Sequence, residues 1–393
     1  MNQSNVTNPI IAGANLFSCC FFTVFAIKSF MPDPSLSVTD LLIIQSILGL
    51  ACYFGKAHML IGIGIAPWLY LEQSHPFNLI DIHDYQAVFF MTAIGFMLIS
   101  AQSWTHWVKP YITYQPGVAT ACCFSALILH ATLGTIQSLP STDVTLTLGA
   151  LILLILFEKH HQHYAPFLIF IVLAAFSSKW IPETPDLPLS TFSPSLTGLI
   201  QHPMIALKAS IYLFSIMFID LSACLMAISP TLSIKPSHHN TIRKTHSFNS
   251  LIASFFGAGQ PLIYFENLIL KSFSEKERLT APLFSGLCFL LMALVIGHYE
   301  INVALLSSVF SLYLFYLVLK GAVSNKTIEN YFIFLISFAL FHWTSLNYIE
   351  TLALVTLTSH VFGFFQQHIA LNGLKKNTIL CFTIFLIDFI LTD

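Results

Sequence analysis

Apolar runs about as long as a bilayer is thick recur from one end of this chain to the other. A helix needs about 20 apolar residues to cross the hydrocarbon core of a membrane. Only 9% of the 393 residues are charged, whereas soluble domains carry about 25%. The chain has too little polar surface to face water on all sides, so the pattern predicts an all-α polytopic membrane protein.

The runs predict about 14 transmembrane segments, and a last apolar stretch at 377–391 either spans or lies along the interface. The first run lacks a basic leader and is followed by many similar runs, so it is interpreted as a span rather than a signal peptide. The predicted spans lie near 9–30, 41–55, 58–72, 86–104, 115–136, 144–157, 164–178, 204–229, 247–257, 261–271, 281–297, 301–319, 330–346 and 349–370.

The distribution of basic residues predicts the orientation. With the amino terminus in the cytoplasm, all but four of the 16 Lys and Arg residues fall on cytoplasmic connections. Lys28 and Lys179 fall outside, while Lys56 and Lys208 fall within spans. Cytoplasmic loops carry an excess of Lys and Arg, so the pattern predicts a multi-pass protein of the cell (inner) membrane with a cytoplasmic amino terminus.

The Pro-rich stretch IPETPDLPLSTFSPS at 181–195 divides the chain near its middle. Each half has seven spans, and an odd number of spans inverts the second half relative to the first. We therefore predict a 7+7 inverted repeat. Its parts are a first repeat at 1–180, an external loop at 181–203, a second repeat at 204–376 and a hydrophobic carboxy-terminal segment at 377–393.

Both halves carry a broken segment at their third position. Gly62 and Gly64 interrupt one half, and Gly257 and Gly259, followed by Pro261, interrupt the other. Paired interruptions at matching places of two repeats indicate a transporter with its binding site at the bilayer midplane. There the chain can unwind and present backbone amides to a cavity. Single membrane glycines, by contrast, are more often explained by helix packing.

Two acidic residues lie within the apolar segments rather than in loops. Asp220 lies in the eighth span, and Glu266 follows the second break. A charged side chain at the centre of a bilayer costs roughly 2.5–3.5 kcal/mol on insertion scales, so such residues usually face a cavity or a partner. We predict that both bind substrate and that one carries a coupling ion, a proton or sodium. The alternative is a protonated structural group bonded to a neighbour.

The stretch SFNSLIASFFGAGQPLIYFENLILKSFSEKERLTAPLFSGLCFLLMALVIG resembles the tenth and eleventh spans of the xanthine–uracil permease group of nucleobase–cation symporters. It has the Gly-rich break, an aromatic residue and a Glu-Asn pair. IYLFSIMFIDLSACLMAIS looks like the eighth span of that group, most like the azaguanine-resistance-type purine permeases. The sulfate-permease group shares the architecture but has a basic residue near the tenth break, so Glu266 favours the nucleobase group.

The resemblance implies proton-coupled uptake of a purine or pyrimidine base. It also implies a core domain from spans one to four and eight to eleven, with the remaining spans forming a gate domain. The substrate-binding residues predicted on this basis, together with the glycine breaks, are Asp220, Glu266, Phe265, Asn267, Gly64, Ile65, Gly257 and Gly259.

Two other functions are compatible with the sequence. One is an anion or carboxylate carrier on the same fold, with Lys208 as the counter-charge. The other is a membrane oxygenase whose metal is held by two histidine clusters, but their spacing fits no di-iron pattern, so no metal is expected. The histidine clusters comprise His160, His161, His163, His238, His239 and His246.

The predicted partners are a small-molecule substrate, the lipid bilayer and a second copy of the chain in a homodimer. The net charge of −2 argues against nucleic acid as a partner.

Overall fold

The structure is a computed structural model, and it describes residues 7–31, 36–72, 79, 82–101, 114–160, 163–180, 200–321, 328–344, 351, 354 and 355. Six helices in these ranges are long and apolar enough to cross a membrane, and two further apolar helices are shorter. The Pro-rich stretch at 181–195 and the carboxy-terminal stretch at 377–391 lie outside the described residues. So does most of the predicted span at 349–370.

The described helices and strands follow the predicted order of spans. The first repeat contains α1 (Thr7–Phe30), α2 (Val38–Phe54), β1 (Ile61–Ile63), α3 (Ala66–Glu72), α4 (Ile82–Ala101), α5 (Tyr114–Ser138), α6 (Ser141–Lys159), α7 (Ala165–Ser177) and β2 (Lys179–Trp180). The second contains α8 (Pro203–Thr231), α9 (Pro236–Phe255), β3 (Pro261–Ile263), a 3₁₀ helix (Phe265–Ser272), α10 (Glu275–Val295), β4 (Tyr299–Glu300), α11 (Val303–Gly321) and α12 (Ile328–Trp343).

Local sequence signals place several of these boundaries. Ser37 and Asp40 form a capping box at the start of α2, and Ser274 and Glu277 form another at the start of α10. Each pair satisfies two backbone N–H groups that the first turn leaves unpaired. The α2 helix ends in a turn where Lys56 has a positive φ of 54°.

One predicted boundary is wrong. The ninth span was expected at 247–257, but α9 begins at Pro236 and takes in the polar stretch PSHHNTIRKTH. An apolar-run criterion misses this half of the helix because its buried face is polar. Thr245 and His246 are buried in this half, and Ser247 and Asn249 continue the buried polar face into the predicted span.

The packing of the helices repeats between the two halves in inverted form. Helix α1 packs on α10 as α8 packs on α4, and α2 packs on α10 as α9 packs on α4. In the same way α5 packs on α12 as α11 packs on α6. Each pairing maps onto its counterpart when the first repeat is exchanged for the second. This is the arrangement that an inverted 7+7 repeat requires.

The helices form two groups that match the predicted core and gate domains. The core group contains α1 to α4 with α8 to α10, and the gate group contains α5 to α7 with α11 and α12. The groups meet where α1 contacts α7 and α11, and where α5 contacts α8. Aromatic rings fill part of this boundary: Phe17 of α1 packs edge-on against Phe170 of α7, with ring centroids 5.3 Å apart.

Candidate functional site

The two broken segments meet as a pair of short antiparallel strands. Ile61 lies opposite Ile263, Gly62 opposite Leu262 and Ile63 opposite Pro261. The sequence predicted that these segments would unwind and expose their amides, but it did not predict that they would pair with each other. Pairing satisfies backbone groups that would otherwise be unbonded within the membrane, where each would cost several kcal/mol.

Polar side chains from the flanking helices bind the backbone that the strands leave unpaired. Gln45 of α2 accepts a hydrogen bond from the Ile63 N–H at 3.0 Å. On the other repeat, Asn249 of α9 donates to the Ile61 carbonyl at 2.8 Å. His246 bonds to the Pro261 carbonyl at 2.9 Å. The sequence reasoning missed Gln45 and Asn249 and considered His246 only as part of a histidine cluster, although each is a polar residue in a helix that packs on the breaks.

Asn267 ties the two repeats together. Its amide oxygen accepts from the Leu60 N–H at 2.8 Å, and its amide nitrogen donates to the Leu60 carbonyl at 2.9 Å and to the Tyr264 carbonyl at 2.8 Å. The predicted substrate contact of Asn267 is untested, but these bonds already occupy its amide. Its evident part in the structure is to hold the first break against the second.

The predicted glycines allow this close approach. Gly257 and Gly259 have φ values of +72° and +96°, which side-chain-bearing residues rarely adopt. A Cβ added at Gly259 would lie 2.7 Å from the indole nitrogen of Trp68 on α3. A Cβ at Gly64 would meet the side chain of Leu262. The absence of side chains at these glycines therefore lets the two broken segments pack closely where they cross.

The two predicted carboxylates are buried in the same region of the core. Glu266 lies in the first turn of the 3₁₀ helix and Asp220 lies on α8, and their exposed fractions are 4% and 5%. Cys224 donates to Asp220 Oδ1 at 3.7 Å and also interacts electrostatically with Glu266. Glu266 Oε2 has no hydrogen-bond partner among the described residues. A buried, unpartnered carboxylate oxygen is a place for a proton or a ligand donor.

The thiol of Cys19 on α1 lies close enough to Glu266 to interact with it electrostatically, and so does that of Cys20. Cys123 of α5 interacts in the same way with Asp220. Residues of the core and of the gate therefore surround the two acids.

An aromatic stack lies beside the acids at the boundary between core and gate. The rings of Phe265, next to Glu266, and Phe124, on α5, are 4.8 Å apart with an interplanar angle of 25°. Ile65, the residue at the corresponding place in the first break, is partly buried, and its carbonyl accepts from the Trp68 N–H at 3.1 Å. Only the second break therefore brings an aromatic ring to this boundary.

A cavity of about 460 Å³ opens between the core and the gate. Its walls include Lys271 at the end of the 3₁₀ helix and the Glu158–Lys320 ion pair of α6 and α11. Neither Asp220 nor Glu266 is among the described lining residues. Leu268 and Ile269 line it, however, and they belong to the same 3₁₀ helix as Glu266. The cavity therefore reaches the element that carries Glu266, on the side where these basic residues lie.

Several predicted charges lie elsewhere. Lys208, the proposed counter-charge of an anion carrier, is exposed on α8 and far along the helix from Asp220. Lys56 is exposed in the turn after α2 rather than within a span. The histidines divide: His160 and His163 are exposed, His161 lies outside the described residues, and His246 is buried among the breaks. His238 and His239 are on the first turns of α9 rather than in a loop.

The fold is that of known membrane transporters. The chain is similar to murine Solute Carrier 26 family member A9, an anion transporter solved in the inward-facing state, with a TM-score of 0.55 and 14% identity over 94% of this chain and 70% of that one. A second structure, of SLC26A9, gives 0.55 and 14% over 92% and 66%. The transmembrane domain of the cyanobacterial bicarbonate transporter BicA gives 0.52 and 12% over 92% and 98%. No family model and no curated protein matches the sequence.

The comparisons define the class of fold to which the chain belongs. The similar structures have the 7+7 inverted-repeat fold, so the predicted fold class is confirmed, and they are transporters rather than enzymes. At 12–14% identity the likeness extends to the fold alone. The resemblance to xanthine–uracil permeases stays a prediction, and an anion carrier also fits the similar structures.

Proposed function

We propose that this protein is a secondary transporter that couples uptake of a small polar solute to proton movement through Asp220 and Glu266. The observation that carries the proposal is the pair of buried acids beside the crossing of the two broken segments, one with an unpartnered oxygen. In transporters of inverted-repeat architecture the substrate binds at such a crossing, and one domain moves against the other. The cavity on the basic face would provide the aqueous route to the site.

A nucleobase is the substrate that the side chains favour. Ionised carboxylates accept ring N–H groups, and a protonated one donates to a ring nitrogen or carbonyl. The Phe124–Phe265 stack offers aromatic faces against which a flat ring can pack. Because Phe124 belongs to the gate and Phe265 to the core, a base lying there would be contacted by both moving parts.

An anion such as bicarbonate is the second candidate, since the similar solved proteins are named as anion and bicarbonate transporters. An anion would have to bind near two acids, and the basic residue expected to balance it, Lys208, is exposed and distant. An anion site would therefore depend on backbone N–H groups of the breaks and on protonation of the acids.

Uptake into proteoliposomes separates the two candidates. Labelled purines and pyrimidines are compared with labelled bicarbonate and chloride, each with and without an inward proton gradient and with and without sodium. We expect gradient-dependent uptake of a base. Glu266→Gln and Asp220→Asn should each reduce it roughly tenfold or more, because each removes an ionisable group from a buried site.

Glu300→Gln is the matched control, since this carboxylate is exposed in β4 and its loss should leave uptake unchanged. Normal proton-dependent uptake by both Glu266→Gln and Asp220→Asn would contradict the assigned roles. Uptake of bicarbonate or chloride without any base transport would establish the anion carrier instead. Homodimer formation stays a prediction, as do the cytoplasmic amino terminus and the cell (inner) membrane.

A further inference from the structure

A second cluster of functional side chains lies at the ends of three core elements, away from the acids. His58 follows α2, His238 lies in the first turn of α9, and Glu275 is the first residue of α10. Each presents one ligand atom, and these atoms all lie within 4.8 Å of one another. The two imidazole rings are stacked, with centroids 4.7 Å apart and an interplanar angle of 10°.

We propose that His58, His238 and Glu275 form a binding site for a divalent transition metal of the zinc class. Two imidazoles and one carboxylate are a ligand set that zinc uses, with a fourth position left for water. Ligand atoms around a tetrahedral zinc ion are about 3.3 Å apart, as follows from metal–ligand bonds of about 2 Å. Metal binding would turn the two stacked rings out of their parallel arrangement, so that a nitrogen of each points at the same ion.

Hydrogen bonds hold the backbone around the cluster in a defined conformation. His58 itself has a positive φ of 58°, an uncommon conformation for a residue with a side chain. The turn that presents it is anchored by Thr245 of α9, which donates to the Gly55 carbonyl at 3.2 Å. The Ser274–Glu277 capping box fixes the start of α10 and thus the position of Glu275. Unusual backbone conformations that the surroundings maintain are often found at functional sites.

The ligand atoms of the cluster favour a nitrogen-binding metal over calcium or magnesium. Arg278 interacts electrostatically with both His58 and Glu275, and its charge opposes any cation, so the bound metal must form strong bonds to its ligands. Imidazole suits zinc, copper and nickel, whereas calcium and magnesium require mainly oxygen ligands.

The site would join the two repeats within the core. His58 belongs to the first repeat and the other two ligands to the second, and all three lie at the ends of core helices. Because core elements move together in an inverted-repeat transporter, a metal here would stabilise the core without blocking the motion of core against gate. This set could not be predicted from the sequence, because the three residues are far apart along the chain and only His238 lies in a histidine cluster.

The test uses the full chain purified in detergent and stripped of metal. Thermal unfolding is followed during titration with zinc, and binding of cobalt is followed by its visible absorption, which reports a tetrahedral nitrogen–oxygen site. We expect zinc to raise the Tm in a chelator-reversible manner, since a ligand that binds only the folded state stabilises it. One metal ion should bind per chain.

The variants assign the ligands. His238→Ala should abolish the rise in Tm, and Glu275→Gln should weaken zinc binding at least about tenfold. His239→Ala is the matched control: this neighbouring imidazole bonds to Ser229 and lies outside the cluster, so zinc should still stabilise that variant. If zinc leaves the Tm of the unaltered chain unchanged, the proposal is wrong. Unchanged affinity in Glu275→Gln, whose exposed side chain is not needed for folding, overturns it as well.

Discussion

The two broken segments have the same backbone arrangement and different chemistry. The strands pair about a centre at Gly62 and Leu262, so a residue of the first break corresponds to the residue 200 positions later. By that relation Ala66 corresponds to Glu266. The first break is apolar, and the second carries the buried acid. The duplicated fold thus provides a symmetric crossing, and the buried acid directly beside the strands belongs to the second repeat.

The same asymmetry extends to the helices beside the breaks. Asp220 also belongs to the second repeat, on α8, whereas the first repeat brings the thiol of Cys20 on α1 near Glu266. This contrast predicts that substitutions in the second break disturb the molecule more than equivalent ones in the first.

The largest effect on stability is expected from Gly259→Ala. The φ of +96° is unfavourable for alanine, and the new methyl group would press on the buried ring of Trp68. Strain of this kind costs about 1–3 kcal/mol, and overpacking adds about as much. We expect a loss of about 3 kcal/mol in the free energy of unfolding, measured by denaturation in mixed micelles. Gly134→Ala is the control, because nothing lies within 4 Å of its added Cβ. Equal stability of the two variants would show that the second break is not strained.

Asn267→Ala tests the tie between the repeats. The change leaves the Leu60 N–H and carbonyl without their partners in a buried place. An unsatisfied buried polar group costs about 1–3 kcal/mol, so we expect a loss of about 2 kcal/mol. Asn240→Ala removes an exposed amide from α9 and should change stability by less than about 0.5 kcal/mol. A direct role of Asn267 in substrate binding would instead appear as reduced uptake with normal stability.

The fold could be predicted further than the site. Long apolar runs, divided near the middle of the chain, are enough to predict the inverted 7+7 fold, because the bilayer allows only a few backbone solutions. The amphipathic half of α9 could not be found in this way. The polar face of this half includes His246, which bonds to the second break rather than to water. A hydropathy pattern predicts that polar residues are exposed, so it misses a buried polar face.

The site itself was predicted only in part. Buried acids stand out in an apolar sequence, so Asp220 and Glu266 could be selected as candidates. The partners that hold the breaks could not, because Gln45 and Asn249 act on backbone groups that are distant in sequence. The pairing of β1 with β3 joins residues that are about 200 positions apart, so it depends on the packing of the whole fold. A strand of three residues is also too short to show the alternating pattern by which strands are recognised in a sequence.

Gly64→Ala compares the first break directly with the second. The added methyl group meets the side chain of Leu262, which is flexible and only partly buried, and the φ of Gly64 is not in the positive region. Leu262 can therefore rotate away, and we expect a loss of about 1 kcal/mol. The measurement is the same micelle denaturation as for Gly259→Ala. A loss as large as that of Gly259→Ala would remove the difference between the two breaks.

The smallest effect is expected in the gate, where Lys320 of α11 and Glu158 of α6 form an ion pair between the repeats at 2.8 Å. The side chains are 45% and 28% exposed, and exposed pairs contribute about 0–1 kcal/mol because water and salt screen them. Lys320→Gln should therefore change stability by less than about 1 kcal/mol, and Glu158→Gln should add nothing further in the double variant. The pair also borders the cavity, so uptake is measured beside stability. A large loss of stability would mean that the gate, like the core, depends on a polar tie between the repeats, and the contrast would then not be confined to the breaks.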